Sequence, residues 1–391
     1  MITAAQRRAR LATRHAISPA ARVDGVVAVA DAMVALHASE PPTVHLAVAA
    51  RSDCTVADVE RALYVERSVV KQMAMRRTLF GFSRALLPAV WGSASARVAE
   101  QQRRLIAREA ERSGIAQDGD RWVAAGCEAV LERLSDGAAL TATELREQIP
   151  ELAGQVTYGV GTSYAGTINI APRLLTALAA EGRIMRGENA GHWRTSRPRW
   201  TATPTWLGDT EEPLEERAGY AELVRRWLAA FGPGTERDLA WWLGSTKSVV
   251  RRALSDVGAV RVDLEDGASG WVLADDLDEV AEPEPWAALL PVLDSTAMGW
   301  KGRDFYLDPA DVPYLVDANG NIGATAWWCG RVVGAWVQNG DGAVEVVLRH
   351  DLDGDAVDAL RVEADRLTCW LDGVVISSVY KSRLMKGDRL P

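Results

Sequence analysis

Thr55-Val-Ala-Asp58-Val59-Glu-Arg-Ala-Leu63, Thr141-Ala-Thr-Glu144-Leu145-Arg-Glu-Gln-Ile149 and Thr235-Glu-Arg-Asp238-Leu239-Ala-Trp-Trp-Leu243 repeat one local pattern. In each, a threonine stands three residues before a carboxylate. The hydroxyl accepts a bond from an early backbone N–H, and the acid complements the positive helix end. Apolar residues four and eight positions after the threonine then share one helix face. The three copies recur at a period of roughly ninety residues, which marks an internal repeat.

Working outward from each copy, an amphipathic helix precedes it: Val23 to Leu36, Arg121 to Leu134 and Leu214 to Ala230. A second helix carrying basic residues follows it, at Glu66 to Arg76, Ala171 to Glu181 and Ser245 to Asp256. Strand-like runs come next, at Thr78 to Phe82, Arg183 to Arg186 and Ala259 to Val262. The second and third runs are reached through Gly182 and Gly258, suited to a left-handed helix end. This succession predicts three tandem winged helix-turn-helix domains, at 1–115, 116–210 and 211–280.

Beyond Pro285 the texture changes. Trp286 to Leu293, Ile322 to Trp328, Arg331 to Gln338, Ala343 to Arg349 and Gly373 to Val379 are short apolar or alternating runs, separated by turns such as Asp317-Ala-Asn-Gly320. They predict an antiparallel, barrel-like domain over 281–391, interrupted by a helix at Gly354 to Cys369. Most of the 15 tryptophans lie after residue 190 and read first as core filling. The expected fold class is therefore α+β. The glycine-rich link Gly159 to Gly166 lacks the Lys-Ser/Thr of a phosphate loop and reads as a hairpin insertion.

With 391 residues, 48% hydrophobic and 25% charged, the chain has the composition of a globular protein of several domains. No apolar run reaches the length of a membrane span. The four cysteines, Cys54, Cys127, Cys329 and Cys369, are widely spaced and form no zinc or disulfide pattern. A cytoplasmic, nucleoid-associated monomer without metal or cofactor is expected. Net charge is −9, but residues 1–113 hold 17 Lys and Arg against 10 Asp and Glu. A basic N-terminal segment on an acidic body suits a surface that faces nucleic acid.

Two C-terminal motifs and two N-terminal ones carry a resemblance. Leu289-Leu-Pro-Val-Leu-Asp294-Ser-Thr-Ala-Met298-Gly299-Trp300-Lys301-Gly-Arg303 and Gly320-Asn-Ile-Gly323-Ala-Thr-Ala-Trp327-Trp328-Cys-Gly330-Arg331-Val-Val-Gly334-Ala-Trp336, with Leu36-His37-Ala38-Ser39-Glu40-Pro41-Pro42-Thr43-Val44 and Met75-Arg76-Arg77-Thr78-Leu79-Phe80, resemble the AlkZ/YcaQ-type DNA glycosylases. That resemblance implies three winged helices with a β-barrel. It also implies excision of bulky N7-alkylated purines, or unhooking of crosslinks, in double-stranded DNA. The resembled family has Gln-x-Gln or Gln-x-Asp where this chain has His37-Ala38-Ser39. It commonly has Met-Arg-Gly-Thr-x-His where this chain has Met75-Arg-Arg77-Thr-Leu-Phe80.

His37 and Ser39 are thus the candidate catalytic residues. An N7-alkylguanine already carries positive charge, so its departure needs a positioned water and a polar surrounding rather than a strong acid. An imidazole with a hydroxyl two residues away supplies both, and imidazole can serve as a base near neutral pH. Glu40 and His45 are further candidates. The plainer alternative is that His37 packs at the end of its helix and Ser39 caps the next. The candidate DNA contacts are Arg51, Arg67, Lys71, Arg76, Arg77 and Thr78, with Trp300, Lys301 and Arg303 as a second cluster that would neutralise phosphates and stack. A non-catalytic DNA-binding protein, serving as lesion sensor or regulator, and a protein-interaction scaffold remain the alternative functions.

Overall fold

The computed structural model describes residues 1–158 and 166–388. The link read at Gly159 to Gly166 lies outside the described residues except for Gly166, which opens a strand. The chain divides into two compact units. Met1–Val70, Phe80–Arg84 and Tyr220–Pro391 form the first, and Lys71–Leu79 with Ala85–Gly219 the second.

All three capping boxes form. Thr55 accepts from the Asp58 N–H at 3.3 Å while its own N–H donates to the Asp58 carboxylate at 2.8 Å. The corresponding distances are 3.3 and 2.7 Å for Thr141 with Glu144, and 3.1 and 3.0 Å for Thr235 with Asp238. Each box starts a helix: Val56–Glu60, Ala142–Gln148 and Glu236–Leu243.

In the second unit, Gly119–Leu134, Ala142–Gln148 and Ala171–Ala180 are followed by the hairpin Ile184–Asn189 and Pro198–Ala202. Val130, Leu145, Leu174, Leu178 and Trp200 share its core, with Ile106 from helix Ala96–Arg112. The helices approach so closely at Gly126 that a Cβ there would lie 2.8 Å from Leu174. In the first unit the same succession recurs as Glu216–Phe231 (from Tyr220 onward), Glu236–Leu243, Lys247–Asp256 and the hairpin Val260–Asp263 with Ser269–Val272.

The first copy departs from the expected pattern. Glu66 to Arg76, read as a basic second helix, is the strand Val69–Ala74 followed by the turn Met75–Arg77. The reason is periodicity. Val69, Val70, Gln72 and Ala74 are buried while Lys71 and Met73 are half-buried, the alternation of a strand carried by paired β-branched valines. The basic residues spaced along this segment mimicked a helix face.

The C-terminal strands Ala287–Leu290, Thr325–Trp328, Arg331–Gln338 and Val344–Leu348 form an antiparallel meander in that order. The sheet is open, so the expected barrel is not what the structure shows. Helix Gly354–Leu371 packs against its first and last strands. Gly373 to Val379, expected as a strand, is a loop. The Gln338 side chain replaces a ladder there, donating to Val374 O at 3.0 Å and accepting from the Ile376 N–H at 2.7 Å. Among the described residues no helix is long and apolar enough to cross a membrane.

Candidate functional site

Helix Val26–Ala32 ends in a tight reversal in which Val34 takes φ of 59°. The Ser295 hydroxyl donates to Ala35 O at 2.6 Å and pins this turn. Leu36–His37 then pairs antiparallel with Thr78–Ser83, Leu36 opposite Gly81 and His37 opposite Phe80. His37 is only 5% exposed, and its ring meets Phe80 edge-on with centroids 5.2 Å apart. Ala38 is buried, Ser39 is exposed, and Glu40 is buried again. The family motif positions therefore occupy a held segment whose hydroxyl reaches solvent while its imidazole faces inward.

Glu40, rather than Ser39, is the residue that precedes helix Pro41–Ala49, and its side chain makes no capping bond. A proline opens that helix, which suits its missing N–H and fixed φ. The Glu40 carboxylate instead accepts from the Val379 N–H at 3.0 Å. Burial pushes its pKa above the usual glutamate value, against the opposing bonds from Val379 and Ser378. One turn into the helix, Thr43 donates to Val292 O at 3.1 Å and the buried His45 meets Glu60 at 2.8 Å.

Arg51 is corrected. Read as a phosphate contact, it is fully buried and its guanidinium is spent internally. It bonds Asp294 bidentately at 2.9 and 2.7 Å, and donates to Thr296, His15 O and Ala47 O. Its five donors are all used. Thr296 also meets His15 Nδ1 at 2.9 Å, while His15 Nε2 lies 3.1 Å from Ala230 O. Burial, reinforced by the Arg51 charge, holds His15 well below the ordinary histidine value. The neutral ring therefore donates through Nε2 and accepts at Nδ1. This network was missed in the sequence, although Asp294-Ser-Thr belongs to a motif singled out there.

Trp300 is likewise internal. It is 3% exposed, donates to Phe231 O at 3.1 Å, and sits among Phe231, Phe305 and Tyr306. A stacking wedge needs an exposed ring, and this one is core. Arg303 donates to Gly320 O at 3.0 Å, whereas Lys301 is exposed and its backbone N–H is held by Asp238 at 2.9 Å. In the other unit Lys71, Arg76 and Thr78 are half-buried and Arg77 is exposed. Arg67, in the first unit, is half-buried. Arg76 and Arg77 form a reversal with φ of 55° and 59°.

Capped helices, hairpins and the strand-held motif segment together define a class. The chain belongs to the AlkZ-like DNA glycosylase family, whose model matches residues 30–370. Among solved structures it is similar to the Streptomyces sahachiroi DNA glycosylase AlkZ. Identity is 22%, 93% of this chain and 96% of that chain are covered, and the TM-score is 0.74, which shows a shared fold. Comparison with curated proteins gives no match.

Proposed function

We propose that this chain is a monofunctional DNA glycosylase that removes bulky N7-alkylated purines, or unhooks crosslinks, from double-stranded DNA. Family membership across the His37-Ala38-Ser39 segment carries this reading. The segment lies between a paired strand and a proline-opened helix, which suits a site that must hold water within about half an ångström. In this reading the exposed Ser39 hydroxyl meets the substrate. His37, behind it, polarises the water and the developing sugar cation. Lys71, Arg76, Arg77, Thr78, Lys301 and Arg303 are the proposed contacts to the duplex. The helix successions with their hairpins are its proposed winged helices.

Incubating the protein with duplexes carrying N7-methylguanine and bulkier N7 adducts, and scoring abasic sites, tests this. Base release above the spontaneous rate is expected. Burial of His37 against Phe80 favours a second reading, a DNA-binding lesion sensor without chemistry. Duplex binding with no release above background would select it.

A further inference from the structure

The two hairpins that close the helix successions differ in charge at their tips. The hairpin Val260–Asp263 with Ser269–Val272 exposes Asp263, Glu265 and Asp266. The hairpin Ile184–Asn189 with Pro198–Ala202 exposes His192, Arg194 and Arg197 in the sequence Gly191-His-Trp-Arg-Thr-Ser-Arg197. One tip repels a polyanion and the other suits it.

The basic tip is also built rather than loose. Asn189 donates to the carbonyls of Gly191, His192 and Thr195 at 3.2, 3.1 and 2.8 Å, and accepts from the Arg197 N–H at 2.7 Å. Thr195 closes the loop onto His192 O through both its N–H and its hydroxyl, at 2.8 and 2.9 Å. Ala190 N–H bonds Arg197 O at 2.8 Å. Trp193 is buried beneath the tip, with the His192 ring 5.5 Å from its own. Asn189 thus holds three carbonyls and one N–H of the loop, and the Thr195 and Ala190 bonds complete its backbone. Ordering this loop is therefore already accomplished before any partner arrives, which lowers the entropic cost of binding.

We infer that loop 190–197 is a pre-ordered contact to the sugar–phosphate backbone of duplex DNA, with Arg194 and Arg197 neutralising phosphates. The inference rests on the DNA reading above and adds to it a binding surface separate from the Lys71–Thr78 segment. Arginine is the suitable residue, because its planar fork pairs with phosphate oxygens in a fixed geometry. Contacts of this type position a protein on DNA without reading sequence.

The test measures binding of a labelled unmodified duplex across a salt series for wild type, Arg194→Ala/Arg197→Ala and Asn189→Ala. Each phosphate contact contributes about 0.9 to the slope of log affinity against log salt. The double variant should therefore lose about 1.8 from that slope and on the order of ten- to a hundredfold in affinity at 0.1 M salt. Asn189→Ala keeps the charges and loosens the loop, so it should weaken binding several-fold and retain the slope. Circular dichroism confirms that the exposed substitutions leave the fold intact. Wild-type binding with an unchanged slope in the double variant overturns the loop assignment and leaves the DNA reading standing. Unchanged affinity of Asn189→Ala overturns the pre-ordering. Failure of the wild type to bind duplex at low salt overturns the DNA reading itself.

Discussion

His37 and Phe80 stand directly opposite each other in the antiparallel ladder, with rings 5.2 Å apart and inclined at 68°. These are two positions at which the chain departs from the motifs it resembles, one glutamine replaced by histidine and one histidine by phenylalanine. The two departures therefore lie side by side in one ladder. Their rings pack edge to face, a contact that contributes about 0.5–1.5 kcal/mol beyond area burial.

Excision of N7-methylguanine should depend on this pair. His37→Ala is expected to lower the rate on the order of 10²-fold, the usual contribution of a positioned acid–base group. Ser39→Ala should lower it less. Phe80→Leu keeps an apolar side chain but loses the ring and some volume, so it destabilises modestly, and it should slow excision because the imidazole loses its orientation. Single-turnover rates with matched binding curves decide this. Rates equal to wild type in His37→Ala would remove the residue from the chemistry.

Arg51 and Asp294 should prove to be a structural pair. Both are fully buried, and 243 positions of sequence separate them. Removing one partner leaves a buried charge without compensation, a loss of about 3–5 kcal/mol. Asp294→Ala should therefore lower the midpoint of chemical unfolding sharply. Arg51→Lys should not rescue, because an ammonium cannot reproduce the bidentate fork and three further donors. A lysine variant with wild-type stability would contradict the network.

Several of these features could be read in the sequence and others could not, and range along the chain explains the difference. Capping depends on residues three apart, so Thr55, Thr141 and Thr235 were readable, as were the helices near Ala171 and Ser245. The segment at Glu66 to Arg76 failed because Lys71 and Arg76 obscured the two-residue alternation of Val70, Gln72 and Ala74. The loop at Gly373 to Val379, read as a strand, is held by the Gln338 side chain from some 36 residues away. Burial of Arg51 and Trp300 likewise depends on distant partners, and nothing local distinguishes a buried arginine from a phosphate-binding one. The motif makes Ser39 and His37 candidates, but the inward turn of the imidazole follows from the pairing with Phe80.

Glu40 should give the stability curve a pH dependence of defined sign. Its folded pKa is raised by burial, so the folded state holds a proton that the unfolded chain releases earlier. The associated stability is complete below the ordinary glutamate value and declines as pH rises from there through the raised folded value. Glu40→Gln retains an oxygen for the Val379 N–H and removes the charge. The variant should therefore be relatively more stable at pH 7 than at pH 4, when compared with wild type by denaturant unfolding. A difference independent of pH would show that burial of Glu40 has no titration consequence.

Arg77 should act on both stability and duplex binding. It sits exposed in the reversal Met75–Arg77 with φ of 59°, at the position where the resembled motif has glycine. A side chain in the left-handed region costs about 1–2 kcal/mol, and glycine relieves that strain while adding somewhat to unfolded-state entropy. Arg77→Gly should therefore raise unfolding free energy by up to about 1 kcal/mol. It should at the same time weaken duplex binding and reduce the salt slope by about 0.9, the share of one phosphate. Arg77→Ala separates the two effects, since it removes the charge and keeps a Cβ in the strained conformation. It should match the glycine variant in binding without its gain in stability. A strained arginine where glycine fits has a physical rationale when the guanidinium is needed at that spot. If Arg77→Gly binds duplex with the wild-type slope, the strain has no such rationale and Arg77 leaves the set of proposed contacts.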